Sequence, residues 1–284
     1  MNYNAIITNI VLFIILLLLL SLWGFYSAIR PPLRIKSSIT PKAFGLTYED
    51  ITLHTQDNVP IRGWFIPNTN PQAKAIILLH GYPADKGNIL PMTYYLHKKY
   101  HLLYIDFRYL GESGGSYSTL GKNETLDLLA AIQFLKQRGM NDIGVWGFSL
   151  GGAVALMTAE KSKAIKAIVA QSSYAQLDLM LDQYYRIPIL KYPLILLSKW
   201  WGQLFLGIDV KDVSPAKSAA HLTIPILIIH SKADDQIPFE NAKILQNALR
   251  NDPHAEYLFL DNVGHGEINK QVIESINQFF KKYL

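Results

Sequence analysis

The stretch Val145-Trp146-Gly147-Phe148-Ser149-Leu150-Gly151-Gly152 constrains this chain more than any other. A run with strand character ends in Gly-x-Ser-x-Gly and passes directly into the helix-competent Ala153-Val154-Ala155-Leu156-Met157-Thr158-Ala159-Glu160. A strand that reverses straight into a helix holds its turning residue in a strained backbone conformation. The flanking positions must then be small for the two segments to close, a need that Gly147 and Gly151 meet. Such a turn lifts the Ser149 hydroxyl above the sheet edge and brings the Leu150 N–H, at a helix N-terminus, toward the same space. Ser149 is the candidate nucleophile and Leu150 half of a candidate oxyanion hole; the plain alternative is a glycine-rich turn carrying an ordinary serine.

Short apolar runs on either side extend this unit. Ala75–Leu79, Leu102–Ile105, Ile143–Trp146, Ile165–Ala170, Ile226–His230 and Tyr257–Leu260 lack polar alternation, which suits strands buried on both faces of a parallel sheet. Tyr48–His54 and Ile61–Ile66 flank Gln56-Asp57-Asn58 as an antiparallel hairpin. Helical periods follow at Leu128, Ile132 and Leu135, at Ile244, Leu245, Ala248 and Leu249, and at Val272, Ile276, Phe279 and Phe280. The expectation is an α/β domain over residues 46–284, with a mostly parallel sheet and helices on both faces.

In such sheets the chemistry gathers beyond the carboxyl ends of the strands. There stand His80-Gly81-Tyr82-Pro83, where a tight turn presents the Tyr82 N–H as a second oxyanion donor, then His230 to Pro238 with Asp234 and Asp235, then Gly264-His265-Gly266. Serine, acid and histidine thus follow one another at three strand ends. With Asp106-Phe107-Arg108-Tyr109-Leu110-Gly111-Glu112-Ser113 added, the chain from residue 46 onward resembles the α/β-hydrolase superfamily, in its serine-hydrolase branch of esterases, lipases and acyl-peptidases. The resemblance implies Ser149 as nucleophile, Asp234, four residues after His230, as the acid, and His265 as the catalytic histidine. Two departures stand out: Asp235 adjoins Asp234, so the choice between them rests on register, and His230-Ser231 replaces the family's more frequent His-Gly. His80 is expected to support the oxyanion turn, and the remaining histidines to serve at the surface or in packing. The spacing of His80 and Asp85 also matches glycerolipid acyltransferases, a reading that leaves Ser149, Asp234 and His265 unexplained.

The N-terminus differs in kind. No charge interrupts Ile6 to Tyr26, a run that spans about 31 Å as a helix and suffices to cross a hydrocarbon core. A cleaved leader is the rival; its basic start, shorter apolar region and small-x-small cleavage site are not convincingly present. We therefore expect a transmembrane anchor at residues 5–28 and a tether at 29–45, where Pro31-Pro32 stops the helix. Arg30, Arg34, Lys36 and Lys42 all follow the anchor, favouring a single-pass protein with a cytoplasmic body. Those four cations also carry most of the net charge of +5, leaving 23 basic against 22 acidic residues elsewhere, which is no footprint of a nucleic-acid binder. The chain has no cysteine, so disulfide and cysteine-metal scaffolds are excluded; no metal-ligand spacing remains once the triad is assigned, and no cofactor is expected.

Some fifty residues, about 172–222, separate two strands and are too many for a plain crossover, so they should form a helical cap. Trp200, Trp201 and Phe205 stand out in its apolar segment as packing residues or as lining for an apolar acyl pocket, and bilayer contact is a further reading. The expected function is a membrane-anchored serine hydrolase acting on esters or thioesters of a small-molecule or lipid-like acyl substrate. A peptidase of the same fold, with Asp178 or Asp182 receiving a peptide amine, is the alternative, and a non-catalytic binding or scaffold protein is the third.

Overall fold

The computed structural model describes residues 3–31, 34–185 and 187–284; Pro32 of the expected helix stop lies outside them. Eight strands form one sheet: β1 (Glu49–His54), β2 (Pro60–Ile66), β3 (Ala75–Leu79), β4 (His101–Ile105), β5 (Ile143–Phe148), β6 (Ile165–Gln171), β7 (Ile226–Ser231) and β8 (Ala255–Leu260), in the order β1-β2-β4-β3-β5-β6-β7-β8. β1 and β2 form the expected hairpin, β2 pairs antiparallel with β4, and every later pairing is parallel.

Alternation along each parallel strand sends side chains to two separate cores. Ile77 and Leu79 of β3 join Val145 and Ile168 on one face, where α3 (Glu124–Gln137) and α4 (Leu150–Ala159) pack. Ile76 and Leu78 join Trp146 and Val169 on the other, covered by α2 (Lys86–Thr93) and α9 (Lys270–Tyr283). The helical period in the C-terminal sequence is realised directly, since Val272, Ile276, Phe279 and Phe280 are the buried positions of α9. α8 (Glu240–Ala248) buries Ala242 and Leu245, with Leu249 just beyond its end.

The N-terminal helix α1 runs from Tyr3 to Ile29. Its first two-thirds stands almost wholly exposed, whereas Ser21, Gly24, Phe25 and Ile29 are buried against the rest of the chain. The segment after it is no loose linker. Ser37 N–H donates to Asp85 Oδ2 at 2.6 Å, the Arg34 guanidinium sits 4.5 Å from the Tyr109 ring centre, and Phe44 stacks on Tyr94 at 4.3 Å.

Between β6 and β7 lie α5 (Leu177–Tyr184), α6 (Lys191–Leu206) and α7 (Pro215–Ala219). α7 returns to the body, burying Ala216 and Ala219; α5 stands above the carboxyl ends of the strands, and α6 packs along the last third of α1. Ser198 and Gly202 lie on the buried side of α6, and a side chain at Gly24 of α1 would collide with the hydroxyl of Tyr185, the residue after α5, which bonds Ser198 Oγ at 2.6 Å.

Candidate active site

Ser149 occupies the turn between β5 and α4 with φ 53° and ψ −113°, a conformation that a residue with a Cβ adopts only under constraint. The constraint is visible. A Cβ at Gly147 would strike the Gly151 backbone, and one at Gly151 would strike the Leu79 carbonyl, so only glycine lets helix and strands close to this distance. The Ser149 N–H donates to Gln171 O at 2.8 Å, fastening the turn to β6.

The turn after β3 approaches from one side. His80 is fully buried; its Nε2 accepts from the Phe107 N–H at 3.0 Å, so Nδ1 carries the proton and donates to Gly81 O at 2.6 Å. Burial pushes its pKa down and keeps the ring neutral. His80 therefore shapes the turn that carries Tyr82, whose hydroxyl donates to Ala28 O of α1 at 2.6 Å.

From the other side come the loops after β7 and β8. Asp234 Oδ1 accepts from the N–H groups of Gln236 at 3.0 Å and Ile237 at 2.8 Å, while Oδ2 lies 2.7 Å from His265 Nδ1. Burial pushes the Asp234 carboxyl up, but the bonds from His265 and Ile237 and the nearby imidazoles outweigh it and hold the group below its usual range. Asp235 is exposed, so the structure settles which of the two neighbours meets the histidine. His230 is buried beneath them, with Nε2 2.9 Å from Ile237 O and 3.6 Å from Asp234 Oδ2. His265 packs against Phe148 with ring centres 4.9 Å apart, and a side chain at Gly266, which has φ 71°, would run into that same ring.

Ser149, His265, Tyr82 and Leu150 all line one cavity of about 320 Å³. Its remaining wall is largely apolar, from Ala28 of α1, Leu120, Tyr174, and Leu177, Met180, Leu181 and Tyr184 of α5. A larger groove of about 800 Å³, near Pro91, Tyr95 and Ile273, contains none of these groups and is not where the chemistry gathers. Among the described residues, no three histidine or carboxylate side chains converge as metal ligands do.

Trp200, Trp201 and Phe205 are not in this cavity, which corrects the expectation that they line an acyl pocket. Trp201 Nε1 donates to Ser21 Oγ at 3.0 Å, Phe205 stacks between Trp201 and Phe25, and Trp200 is 52% exposed. Their side of α6 faces α1 and the exterior, while α5 supplies the lining. The apolar spacing of Leu177, Leu181 and Tyr184 was the signal for that, because it places all three on one helix face. A second missed residue is Glu124. Buried at the start of α3, it accepts from Ser118 Oγ, the Thr119 and Gly121 N–H groups and Thr119 Oγ1 at 2.6–2.8 Å, and so holds Leu120 in the cavity wall. The hydroxyls just upstream of a helix-opening glutamate were its sequence trace.

A model of the prolyl oligopeptidase family matches residues 92–284. Protein YqkD of Bacillus subtilis, itself uncharacterised, is 31% identical over 210 residues, covering 70% of this chain and 67% of that protein. The lysophosphatidylserine lipase ABHD12 of Danio rerio is 26% identical over 196 residues, 64% of this chain and 49% of the lipase. Among solved structures, the Pyrococcus furiosus esterase Pf2001 superimposes with a TM-score of 0.74 at 27% identity, covering 90% of this chain and 99% of the esterase. With the eight-stranded sheet, the strained serine turn and these similarities together, the chain belongs to the prolyl oligopeptidase family, within the serine-hydrolase branch of the α/β-hydrolases.

Proposed function

We propose that this protein is a membrane-anchored serine hydrolase that cleaves carboxylic esters or thioesters with an apolar acyl part. The observation that carries the reading is the 2.7 Å contact of Asp234 with His265 Nδ1 at the cavity into which the strained Ser149 turn also faces. Asp234 holds the imidazole with its proton on Nδ1, leaving Nε2 to accept the Ser149 proton as Oγ attacks the carbonyl carbon. The N–H groups of Tyr82 and Leu150 receive the oxyanion, and the first turn of α4 adds its dipole. His265 Nε2–H then protonates the leaving alcohol or thiol, giving an acyl-serine. A water, deprotonated by the same nitrogen, releases the acid and restores Ser149.

The substrate reading rests on the apolar wall from Leu120, Leu177, Met180 and Leu181, and the lipase and esterase among the relatives agree with it. The family's name keeps a peptidase in view. Against that, Asp178 lies 3.9 Å from Lys199 and Asp182 lies 2.9 Å from Lys191, and neither carboxylate lines the cavity where a peptide amine needs one. Anchoring rests on α1, whose apolar window has a mean hydropathy of 2.9, and the cations after it favour a cytoplasmic body.

The full chain in detergent, given p-nitrophenyl esters and an aminoacyl anilide, tests the chemistry. Ester turnover should dominate and vanish in Ser149→Ala; faster cleavage of the anilide overturns the ester assignment. For topology, a C-terminal reporter active only in the cytoplasm should give signal, and signal solely from an exterior-active reporter reverses it.

A further inference from the structure

α6 carries a row of exposed apolar side chains that packing on the body does not explain. Tyr192, Leu196, Trp200 and Leu204, four residues apart, are 72%, 70%, 52% and 56% exposed, and the turn before the helix adds Ile187 at 53% and Ile189 at 86%. Solitary exposed apolar residues are ordinary; a contiguous row of this length on one helix is the mark of an interaction surface.

Its contacts with α1 orient it. Trp201 meets Ser21 and Phe205 meets Phe25, so the two helices advance together and the N-terminal turns of α6 point toward the exposed, uncharged part of α1. At the level of these contacts α1 exposes Trp23 at 70% and Tyr26 at 51%, with Arg30 and Arg34 beyond. Aromatic residues followed by cations are the pattern of a membrane–water boundary. Trp200 adjoins Trp201, whose partner Ser21 lies just before Trp23, at the uncharged edge of that belt. Leu196 and Tyr192 lie roughly 6 and 12 Å further along the α6 axis, on the side of the uncharged span. The charges near them, Lys191 with Asp182 and Lys199 with Asp178, are ion-paired between α5 and α6.

We propose that α6 is a second membrane element: its first turns and the preceding turn with Ile187 and Ile189 lie in the same lipid leaflet that α1 enters, and the bilayer is the partner of this face. The proposal rests on the reading of α1 as an anchor. It also gives the cavity a position. Between α1, α5 and α6 runs an apolar space lined by Phe25, Ala28, Leu181 and Tyr185, which shares Ala28, Leu177, Leu181 and Tyr184 with the wall of the Ser149 cavity. The Ser149 cavity thus shares an apolar wall with the side of the body on which α1 and α6 pack.

The absence of cysteine makes the test clean. Single variants Leu12→Cys in α1, Leu196→Cys in α6 and Gln137→Cys at the end of α3 are spin-labelled in the full chain and reconstituted into phosphatidylcholine vesicles. Collision with oxygen, which partitions into lipid, is then compared with collision with a water-soluble nickel chelate. Labels at 12 and 196 should favour oxygen and the label at 137 the chelate. A label at 196 that behaves like that at 137, beside a lipid-exposed label at 12, overturns the proposal while leaving the anchor intact; a chelate-exposed label at 12 overturns the anchor and the proposal with it. As a second reading, Tyr192→Glu with Leu196→Glu should lower hydrolysis of an ester embedded in the vesicles tenfold or more, and change hydrolysis of a water-soluble acetyl ester in detergent less than twofold. An equal loss on both substrates contradicts it, and retained activity on the soluble ester keeps this outcome distinct from failure of the hydrolase assignment.

Discussion

Trp146 and Trp200 are the same residue in opposite circumstances. The first is wholly buried between β-strand neighbours and α9; the second stands 52% exposed on α6. Around Trp146 every element is pinned from two sides, and the serine turn it leads into is so tight that glycine alone fits beside it. Around Trp200 the packing is one-sided, through Ser21, Gly24, Ser198 and Gly202, and the other side is apolar surface. The body holds reactive groups in fixed positions by its own contacts, whereas the α1–α6 face has apolar side chains that water does not satisfy. The site and the exposed apolar face are thereby separated into two parts, joined at Ala28, Tyr82 and Tyr184, where Tyr82 and Tyr184 donate to the Ala28 and Gly24 carbonyls of α1.

The sharpest division should appear in turnover. Ser149→Ala or His265→Ala should reduce kcat by about four orders of magnitude or more on soluble and lipid-embedded esters alike, and Asp234→Asn by a similar factor, with binding of a non-cleavable analogue retained. Asp235→Asn, at an exposed position, should stay within about twofold. A severe Asp235 variant beside a mild Asp234 variant moves the acid by one residue.

Glycine substitutions should divide the regions by stability. Gly147→Ala forces a methyl into the Gly151 backbone and should cost about 3 kcal/mol or more in denaturant unfolding. Gly202→Ala meets only ordinary contacts at 3.5 Å and beyond, so it should be neutral or raise stability by up to about 1 kcal/mol through helix propensity. Equal costs at the two sites would show that the α1–α6 contact is as tightly packed as the serine turn.

Chain-length preference separates the cavity from the exposed face of α6. At about 0.8 kcal/mol per buried CH₂, four added methylenes should raise kcat/KM by up to about two orders of magnitude before the cavity fills. Leu181→Asn should flatten that rise, since Leu181 lines the cavity, and Trp200→Ser in detergent should leave it in place. The reverse pattern returns Trp200 to the acyl pocket.

The smallest expected effect is acid sensitivity of the body. Burial depresses the pKa of His80, His101 and His230, so each stays neutral in the folded state while the unfolded chain takes up protons below about pH 6.5. Their contribution to stability is present above that pH and is lost as pH falls through the lower folded-state values; Asp234 adds a loss of the same sign, beginning near pH 4. No histidine lies before residue 54 or between residues 102 and 220, so α1 and α6 take no part in the first of these losses. The thermal midpoint should therefore fall between pH 7.5 and pH 5.5, and a flat profile would contradict the burial of three neutral imidazoles.

The strand positions, the serine turn and the placement of Asp234 and His265 just beyond two strands were legible in the sequence because each is local: an apolar run, a glycine spacing, a residue after a strand. The order of the strands and the contact between those two side chains were not, since both depend on distant segments. Which helix covers the cavity was not. In α6 the bulky Trp200, Trp201 and Phe205 drew the pocket assignment, yet the inward positions are Leu194, Ser198 and Gly202, since close helix contact is made by small side chains. The wall contributed by Ala28 was also hidden, because a contact between residue 28 and the turn at Tyr82 depends on how α1 leans on the body, and no periodicity within either segment encodes it.

The most direct measurement is covalent labelling of the full chain with a fluorophosphonate, which reacts with a serine only when a neighbouring base activates it, followed by mapping of the modified residue by mass spectrometry. Modification at Ser149 alone, abolished in His265→Ala and accompanied by loss of ester turnover, is the expected result. Modification of a different serine, or turnover that persists once Ser149 is fully modified, would contradict the assignment of Ser149, His265 and Asp234 as the catalytic groups.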